Sequence, residues 1–282
     1  MGFTTLLWPR SSGFTIRLID DSSIQKSLSS EILDKKLKNN NGLIRPMKKK
    51  TDPEVGIDAL MVMIPSDLDY LVKLHRAEEI TRFCMDFFNL YLVKDGEKPC
   101  LSLAGPFLGA PPAVMGMEKL IALGAKRLWV IGWCGSLIPD LRIGDLVIPT
   151  RAMSEEGTSQ HYPINEKVLG TDEGLDEMIE QALRGKGQAF KKGAVWTTDA
   201  PYRETPAKVR EYQDRGAIAV EMEMSALMTL AIYRNVRLSG LLVVSDELFD
   251  LKWHPGFSTP GLKKMSRLAG EILLEMVDSL NG

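Results

Sequence analysis

The chain has 282 residues, of which 44% are hydrophobic and 26% charged, and its formal net charge is −2 at pH 7. This balance is typical of a globular protein and lacks the excess of basic residues expected of a nucleic-acid-binding protein. No apolar run approaches the roughly 20 residues of a membrane-spanning helix, so we expect neither nucleic acid nor a membrane as partner.

The cysteines and histidines bear on the cellular compartment and on metal binding. The three cysteines, Cys84, Cys100 and Cys134, are odd in number and form no Cys-x-x-Cys pair. This usage favours a reducing compartment, and with no recognisable secretory signal we expect a cytoplasmic location. The histidines lie far apart in sequence and show no metal-ligand spacing, so neither a metal nor another cofactor is expected.

The N-terminal part differs from the rest of the chain. Residues 1–54 contain runs of serine, asparagine and lysine, and only residues 24–37 could form an amphipathic helix. Such a composition offers little apolar surface for a core. We therefore predict a linker-like extension over residues 1–54, followed by one folded domain over residues 55–282.

Strands and helices alternate through the second part. We predict a strand over residues 59–64, a helix that is capped by Ser66 or Asp67 and runs to about residue 88, and a hairpin turn at 94–97. Further strands are predicted over 127–131, 145–149, 194–197, 217–220 and 238–244, and helices over 113–123, 175–183, 206–215, 225–233 and 259–280. The alternation predicts an α/β fold with a largely parallel or mixed sheet covered on both faces.

Two of these strands run into acidic residues. One is followed by Glu221 and Glu223, and the other by Ser245 and Asp246. In open α/β sheets the ligand crevice lies outside the carboxyl ends of the strands, so these acids are candidates for a site. A plainer interpretation stays open, in which Glu221 is a first-turn acid of a helix and Asp246 an N-cap.

Five short segments, taken together and in their order along the chain, indicate more than any one of them alone. They are residues 130–136 (Val-Ile-Gly-Trp-Cys-Gly-Ser), 142–148 (Arg-Ile-Gly-Asp-Leu-Val-Ile), 155–162 (Glu-Glu-Gly-Thr-Ser-Gln-His-Tyr), 220–223 (Val-Glu-Met-Glu) and 244–246 (Val-Ser-Asp). Together they resemble the nucleoside phosphorylase and nucleosidase superfamily, which includes purine nucleoside phosphorylase, uridine phosphorylase and methylthioadenosine nucleosidase. The resemblance covers residues 58–280. It implies a single α/β domain whose central mixed sheet closes into a distorted barrel flanked by helices, and a homo-oligomer between dimer and hexamer.

The resemblance also implies a reaction, cleavage of the N-glycosidic bond of a small-molecule nucleoside. The transition state of such a reaction carries positive charge on the sugar. Glu223 matches the family glutamate that binds the ribose hydroxyls, Met222 the methionine that packs on the ribose, and Asp246 the acid that protonates N7 of a purine. The other predicted substrate-binding residues lie in the same motifs: Gly132, Trp133, Glu221 and Ser245. For Glu221 a ribose contact and a structural role both stay open.

The family's phosphate-binding residues are largely missing. Where phosphorolytic members have a Gly-Asp-Pro-x-Arg loop after the first strand, this chain has Ser66, Asp67 and Asp69, and Val130 and Trp133 replace an arginine and a hydroxyl residue of the central motif. A phosphate dianion needs several cationic or N–H partners. Water is therefore a candidate acceptor, with Asp67 or Asp69 as its base, while phosphate stays open as a co-substrate.

Two further alternatives remain at this stage. Asp246 favours a purine, whereas residues 155–162 look most like a uridine phosphorylase segment; we weight Asp246 more heavily because its role is chemical. A non-catalytic nucleoside-binding or regulatory protein on the same fold is the alternative function. Because both Glu223 and Asp246 are present, we predict an enzyme of nucleoside metabolism or purine salvage, either a pentosyltransferase of the phosphorylase type or an N-glycosyl hydrolase.

Overall fold

The computed structural model describes residues 42–83, 88–95, 98–164 and 169–281. The chain divides into two compact units, residues 1–45 and 46–282. Only residues 42–45 of the first unit are described, so the predicted helix at 24–37 lies outside the described residues. The predicted boundary of the extension at residue 54 stays a prediction.

The described ranges contain ten strands and six helices of at least nine residues. The strands are β1 Asp58–Val62, β2 Glu78–Phe83, β3 Phe88–Asp95, β4 Lys98–Gly105, β5 Arg127–Ser136, β6 Leu146–Ser154, β7 Phe190–Thr197, β8 Ala217–Glu221, β9 Arg237–Glu247 and β10 His254–Pro255. The helices are α1 Pro65–Leu74, α2 Ala110–Leu123, α3 Glu173–Gly185, α4 Pro206–Asp214, α5 Met224–Arg234 and α6 Pro260–Asn281. In the part of the chain that is described, no helix is both long and apolar enough to cross a membrane.

The strands form one mixed sheet that closes on itself. Their order is β10-β9-β6-β7-β8-β5-β1-β4-β3-β2, and an additional pairing of β9 with β5 makes a five-stranded barrel. Strands β5 and β9 run parallel, while β9 is antiparallel to β6 and β5 is antiparallel to β8. The predicted fold, a mixed sheet with a distorted barrel flanked by helices, is confirmed.

Helices cover both faces of the sheet. Along β1, Ala59 and Met61 join the apolar layer under α2 and α5, while Leu60 and Val62 join the layer under α1, α3 and α6. This division follows from the alternation of side chains along a strand. Helix α5 is buried at every position from Met224 to Ala231. A helix that is apolar all round belongs in the core, so its first turn, directly after β8, is held firmly at one end of the barrel.

The predicted helix that runs to about residue 88 is wrong beyond Leu74. Helix α1 ends at Leu74, Arg76 takes a left-handed φ of 49°, and the chain returns as β2. This strand pairs antiparallel with β3. No glycine or proline marks the turn, and a pairing partner for β2 is not visible in local periodicity.

The predicted cap of α1 is also wrong. The N-cap is Ile64, without a side-chain hydrogen bond, because Pro65 occupies the first helical position. Proline suits that position, since its fixed φ is helical and no N–H is required there. Ser66 and Asp67 therefore lie inside the first turn.

Candidate active site

Gly135 of β5 brings the two acid-bearing segments together. In the sheet it lies opposite Asp246 of β9 on one side and Val220 of β8 on the other. Neighbouring strands are about 4.8 Å apart, so the ends of β8 and β9 lie within roughly 10 Å. A Cβ atom at position 135 would lie 3.2 Å from Asp246 Oδ2 and 2.6 Å from Leu248 Cδ1. Glycine is therefore what allows the acid to lie across β5.

Glu221 caps helix α5. Its Oε2 accepts hydrogen bonds from the backbone N–H groups of Glu223 at 2.6 Å and Met224 at 2.7 Å, and its Oε1 accepts one from the Thr197 hydroxyl. Thr197 Oγ1 in turn accepts from the N–H of Ser225 at 3.0 Å. A carboxylate at a helix N-terminus satisfies unpaired N–H groups and interacts favourably with the helix dipole. These contacts give Glu221 a structural role, and its predicted contact with substrate stays a prediction.

Glu223 turns towards the loop that precedes α2. Its Oε1 accepts the N–H of Gly109 at 2.6 Å, and the residue is only 8% exposed. Met222 approaches the same loop, since a Cβ on Gly109 would lie 3.9 Å from its Cε. Gly109 has a φ of 84°, which favours glycine. Gly109 was not among the predicted site residues, although a glycine just before the Ala-Pro-Pro start of a helix is a visible signal.

Glu221 and Glu223 are buried carboxyl groups that influence each other. Burial raises the pKa of Glu223, and the negative charge of Glu221 raises it further. Burial also raises the pKa of Glu221, although hydrogen bonds from Thr197 and from backbone N–H groups oppose this effect. The pair therefore retains a proton at a pH at which ordinary glutamates are ionised.

This pair predicts a pH dependence of stability. A raised pKa means that the folded state binds more protons than the unfolded state, so the stabilisation is complete below a pH of about 4.5 and is lost as the pH rises to about 8. Glu223→Gln removes one titrating group, so between pH 5 and pH 8 the variant should lose less free energy of unfolding than the wild type, by about 1 kcal/mol or more. Urea denaturation at both pH values measures the difference.

The matched control for this measurement is Glu118→Gln. Glu118 contacts Arg234 at 2.8 Å, away from the pair, so its removal should leave the wild-type slope against pH unchanged. If the free energy of unfolding has the same slope against pH in Glu223→Gln and in the wild type, the conclusion that the pair of Glu221 and Glu223 retains a proton is wrong.

Asp246 is half-buried, and both of its oxygens have partners. Oδ1 accepts from Ser245 Oγ at 2.6 Å, and Oδ2 accepts from the indole Nε1 of Trp253 at 2.9 Å. Each carboxyl oxygen has two lone pairs and accepts only one of these donors, so positions remain for a ligand or for the acidic proton. Ser245 was predicted in this site, whereas Trp253 was not.

Glu204 is a second carboxyl group near Asp246 that the sequence analysis missed. It follows the 3₁₀ turn Pro201–Arg203, beyond the carboxyl end of β7. Burial and, to a smaller extent, the negative charges of Asp246 and Glu155 together raise the pKa of this half-buried group to about 7. Glu223 was predicted because ligands bind outside the carboxyl ends of the strands, and the same reasoning could also have indicated Glu204.

Trp133 of the central motif points towards helix α6. Its Nε1 donates to Ser266 Oγ at 2.8 Å, and the Ser266 hydroxyl donates to Asp67. The Trp133 ring stacks on Phe257 with 5.9 Å between ring centroids. The neighbouring Gly132 lies against β1, because a Cβ there would be 3.1 Å from a Met63 side-chain atom. The two predicted residues of this motif therefore contact α6 and β1.

The residues predicted as a possible nucleophile loop form the start of α1 instead. Asp67 is buried against Ser266, while Ser66 and Asp69 are exposed. Burial raises the pKa of Asp67, and the hydrogen bond from Ser266 opposes the shift. Of the three, only Asp67 is thus linked through a hydrogen bond to the central motif, and the role of all three in activating a nucleophile stays a prediction.

The segment over residues 155–162 packs on helix α5. Glu156 accepts hydrogen bonds from the hydroxyls of Ser154 and Ser225, each at 2.9 Å, and from the N–H of Thr158 at 2.5 Å. Burial acts to raise the pKa of Glu156, but hydrogen bonds from Ser159, Ser154 and Ser225 lower it overall. Glu156 therefore anchors this loop beside the turn that carries Glu223.

Comparisons with known proteins agree with this architecture. The family model of the phosphorylase superfamily matches residues 59–277, and the chain belongs to this superfamily. The predicted superfamily is thus confirmed. A guanosine phosphorylase of Halorubrum lacusprofundi is 30% identical over 149 residues, which are 52% of this chain and 61% of that protein. The chain therefore matches less than two thirds of this relative's length.

Solved structures show the same fold. Purine nucleoside phosphorylase from Toxoplasma gondii, in complex with immucillin-H, superposes with a TM-score of 0.73 at 20% identity and covers 83% of this chain and 98% of its own. AMP nucleosidase from Bacteroides thetaiotaomicron superposes with a TM-score of 0.64 at 20% identity, covering 80% of this chain and 90% of its own. At these identities the likeness supports the fold alone.

Proposed function

We propose that this chain cleaves the N-glycosidic bond of a purine nucleoside. The observation that carries the proposal is that β5 lies between the two strands that lead to these acids, with Glu223 after β8 and Asp246 near the end of β9. A separation of roughly 10 Å between the two strand ends leaves room for a nucleoside, with its ribose at one acid and its base at the other. The name of the guanosine phosphorylase relative is consistent with a purine.

The proposed mechanism assigns each acid one task. Glu223 in its ionised form accepts hydrogen bonds from the 2′ and 3′ hydroxyls and stabilises the positive charge that develops on the ribose. As the bond from C1′ to N9 breaks, its electron pair leaves with the base, and Asp246 donates a proton to N7. An acceptor oxygen then bonds to C1′ and loses its proton. Met222 packs near the loop that contacts Glu223 and supplies an apolar surface for the sugar.

The charge of the site supports water as the acceptor. Four carboxyl groups, those of Glu204, Glu221, Glu223 and Asp246, belong to this end of the barrel, and none of them forms an ion pair with a cation among the described residues. Even while the pair of Glu221 and Glu223 retains a proton, these four side chains give a phosphate dianion no cationic partner. Asp67 is the proposed base for water, because it is buried and linked through Ser266 to the central motif.

The acceptor is tested by base release from inosine, guanosine and adenosine with extensively dialysed protein, with and without phosphate. We expect phosphate to change the rate by less than about twofold and free ribose to be the product, because the site supplies few partners for a dianion. Asp67→Asn should lower the rate more than Asp69→Asn, since only Asp67 is buried.

Other results would separate the remaining candidates. Strict dependence on phosphate, with ribose 1-phosphate as product, would assign the chain to the phosphorylases. Phosphorolysis is the second candidate function, and the name of the guanosine phosphorylase relative favours it. Nucleoside binding without base release under either condition would favour the non-catalytic alternative. The homo-oligomeric assembly and the cytoplasmic location stay predictions.

A further inference from the structure

The indole N–H of Trp253 contacts the proposed leaving-group acid. Trp253 Nε1 donates to Asp246 Oδ2 at 2.9 Å, while Ser245 Oγ donates to Oδ1 at 2.6 Å. Two donors from different segments therefore hold both oxygens, and with them the orientation of the carboxyl plane. We propose that Trp253 is a positioning residue that directs Asp246 towards the base of the nucleoside, an inference that rests on the proposed function.

The backbone fixes the position of Trp253. Strand β10 pairs antiparallel with β9 and places Pro255 opposite Asp246. The N–H of Gly256 donates to the carbonyl of Ser245 at 2.9 Å, and a Cβ on Gly256 would lie 2.6 Å from that oxygen. Only glycine allows so close an approach, so the returning segment lies directly on β9. The indole N–H is thus presented by the residue that directly precedes a paired strand.

The exposure of the ring distinguishes positioning from core packing. Trp253 is 60% exposed and its neighbour Phe257 is 50% exposed, whereas a tryptophan that mainly stabilises a fold buries most of its ring. Phe257 lies between the Trp253 ring, at 6.1 Å, and the Trp133 ring, at 5.9 Å between centroids. The ring packing restrains the indole on one side, and its N–H is directed at Asp246.

Orientation matters because proton transfer requires hydrogen-bond geometry between the acid and N7. Asp246 gives the proton to N7 when the bond from C1′ to N9 breaks, and Trp253 keeps its own N–H throughout. Loss of this donor should therefore slow only reactions in which the leaving group needs a proton. A leaving group that departs as a stable anion should be insensitive to the change.

The test compares Trp253→Phe with the wild type on two substrates. Inosine needs a proton on its base, whereas p-nitrophenyl β-D-ribofuranoside releases a stabilised phenolate. We expect kcat on inosine to fall about tenfold with little change in KM, because one hydrogen bond that orients the acid is lost while an aromatic ring remains. On the phenyl riboside kcat should stay within about twofold. Lys252→Ala, an exposed neighbour, is the matched control and should behave as the wild type on both substrates.

Asp246→Asn, assayed in parallel, separates the inference from the proposed function. If Asp246→Asn loses activity on inosine while Trp253→Phe keeps it, the positioning role is overturned and the proposed function stands. Equal losses for Trp253→Phe on both substrates would also overturn that role, since they indicate general damage to the site. If Asp246→Asn is as active as the wild type, or the wild type releases no base, the proposed role of Asp246 fails and the inference fails with it.

Discussion

Asp246→Asn should lower turnover on purine nucleosides by about 10² or more, with little change in binding. Asparagine keeps the shape of the side chain but has no acidic proton to give to N7. The site around it should persist, because the amide oxygen can still accept from the Trp253 indole while the amide NH2 group donates to the Ser245 hydroxyl oxygen. The measurement is steady-state base release from inosine and guanosine, which yields kcat and KM separately.

The matched control for this variant is Asp250→Asn. Asp250 lies four residues further on, is exposed, and contacts His254 Nε2 at 3.0 Å. Its replacement should leave kcat on inosine near the wild-type value. On p-nitrophenyl β-D-ribofuranoside Asp246→Asn should also approach the wild type, since that leaving group needs no proton. Unchanged turnover of Asp246→Asn on inosine would remove Asp246 from the mechanism.

Glu223→Ala should lower kcat/KM on purine nucleosides by roughly three orders of magnitude. The carboxylate is proposed to bind two ribose hydroxyls and to stabilise the charge on the sugar, so ground-state binding and the transition state should both weaken. A substrate without the 2′ hydroxyl provides the sharper measurement. The loss that the wild type suffers on changing from inosine to 2′-deoxyinosine should shrink in Glu223→Ala, because the partner of that hydroxyl is already gone.

The control is Glu118→Ala, which removes a carboxylate that links two helices and has no proposed contact with the substrate. Glu118 of α2 contacts Arg234 of α5 at 2.8 Å, so this variant should lose stability while retaining the preference for the ribonucleoside. If Glu223→Ala lowers only the melting temperature and leaves kcat/KM intact, the interpretation of Glu223 as a helix-start acid is the better one.

Part of the candidate site could be predicted because its residues lie next to strongly patterned strands. Glu223 and Asp246 each follow an apolar run that is recognisable as a strand, and the crevice rule then places both near a ligand. The resemblance of five ordered segments predicted the superfamily, which the match over residues 59–277 confirms. The prediction that the sheet closes into a barrel also came from that resemblance, since no local pattern shows that β9 pairs with β5.

Other parts of the site depend on contacts between distant segments. Gly109 and Glu223 are 114 positions apart, and nothing near Gly109 in sequence indicates which side chain accepts its N–H. Asp67 similarly meets Ser266 across 199 positions. Such contacts follow from the packing of helices on the sheet, so periodicity in a short window does not contain them.

The sequence by itself determined the class of fold and the superfamily and predicted the two acids of the proposed reaction, because periodicity and the order of motifs can be recognised without knowing which residues are in contact. The tertiary structure decided how those acids are held. Trp253 is only seven residues from Asp246, but its contact depends on the pairing of β10, a two-residue strand containing a proline. A strand so short has no period to recognise, and proline argues against a strand. Its pairing becomes visible only once β9 provides the edge on which it lies.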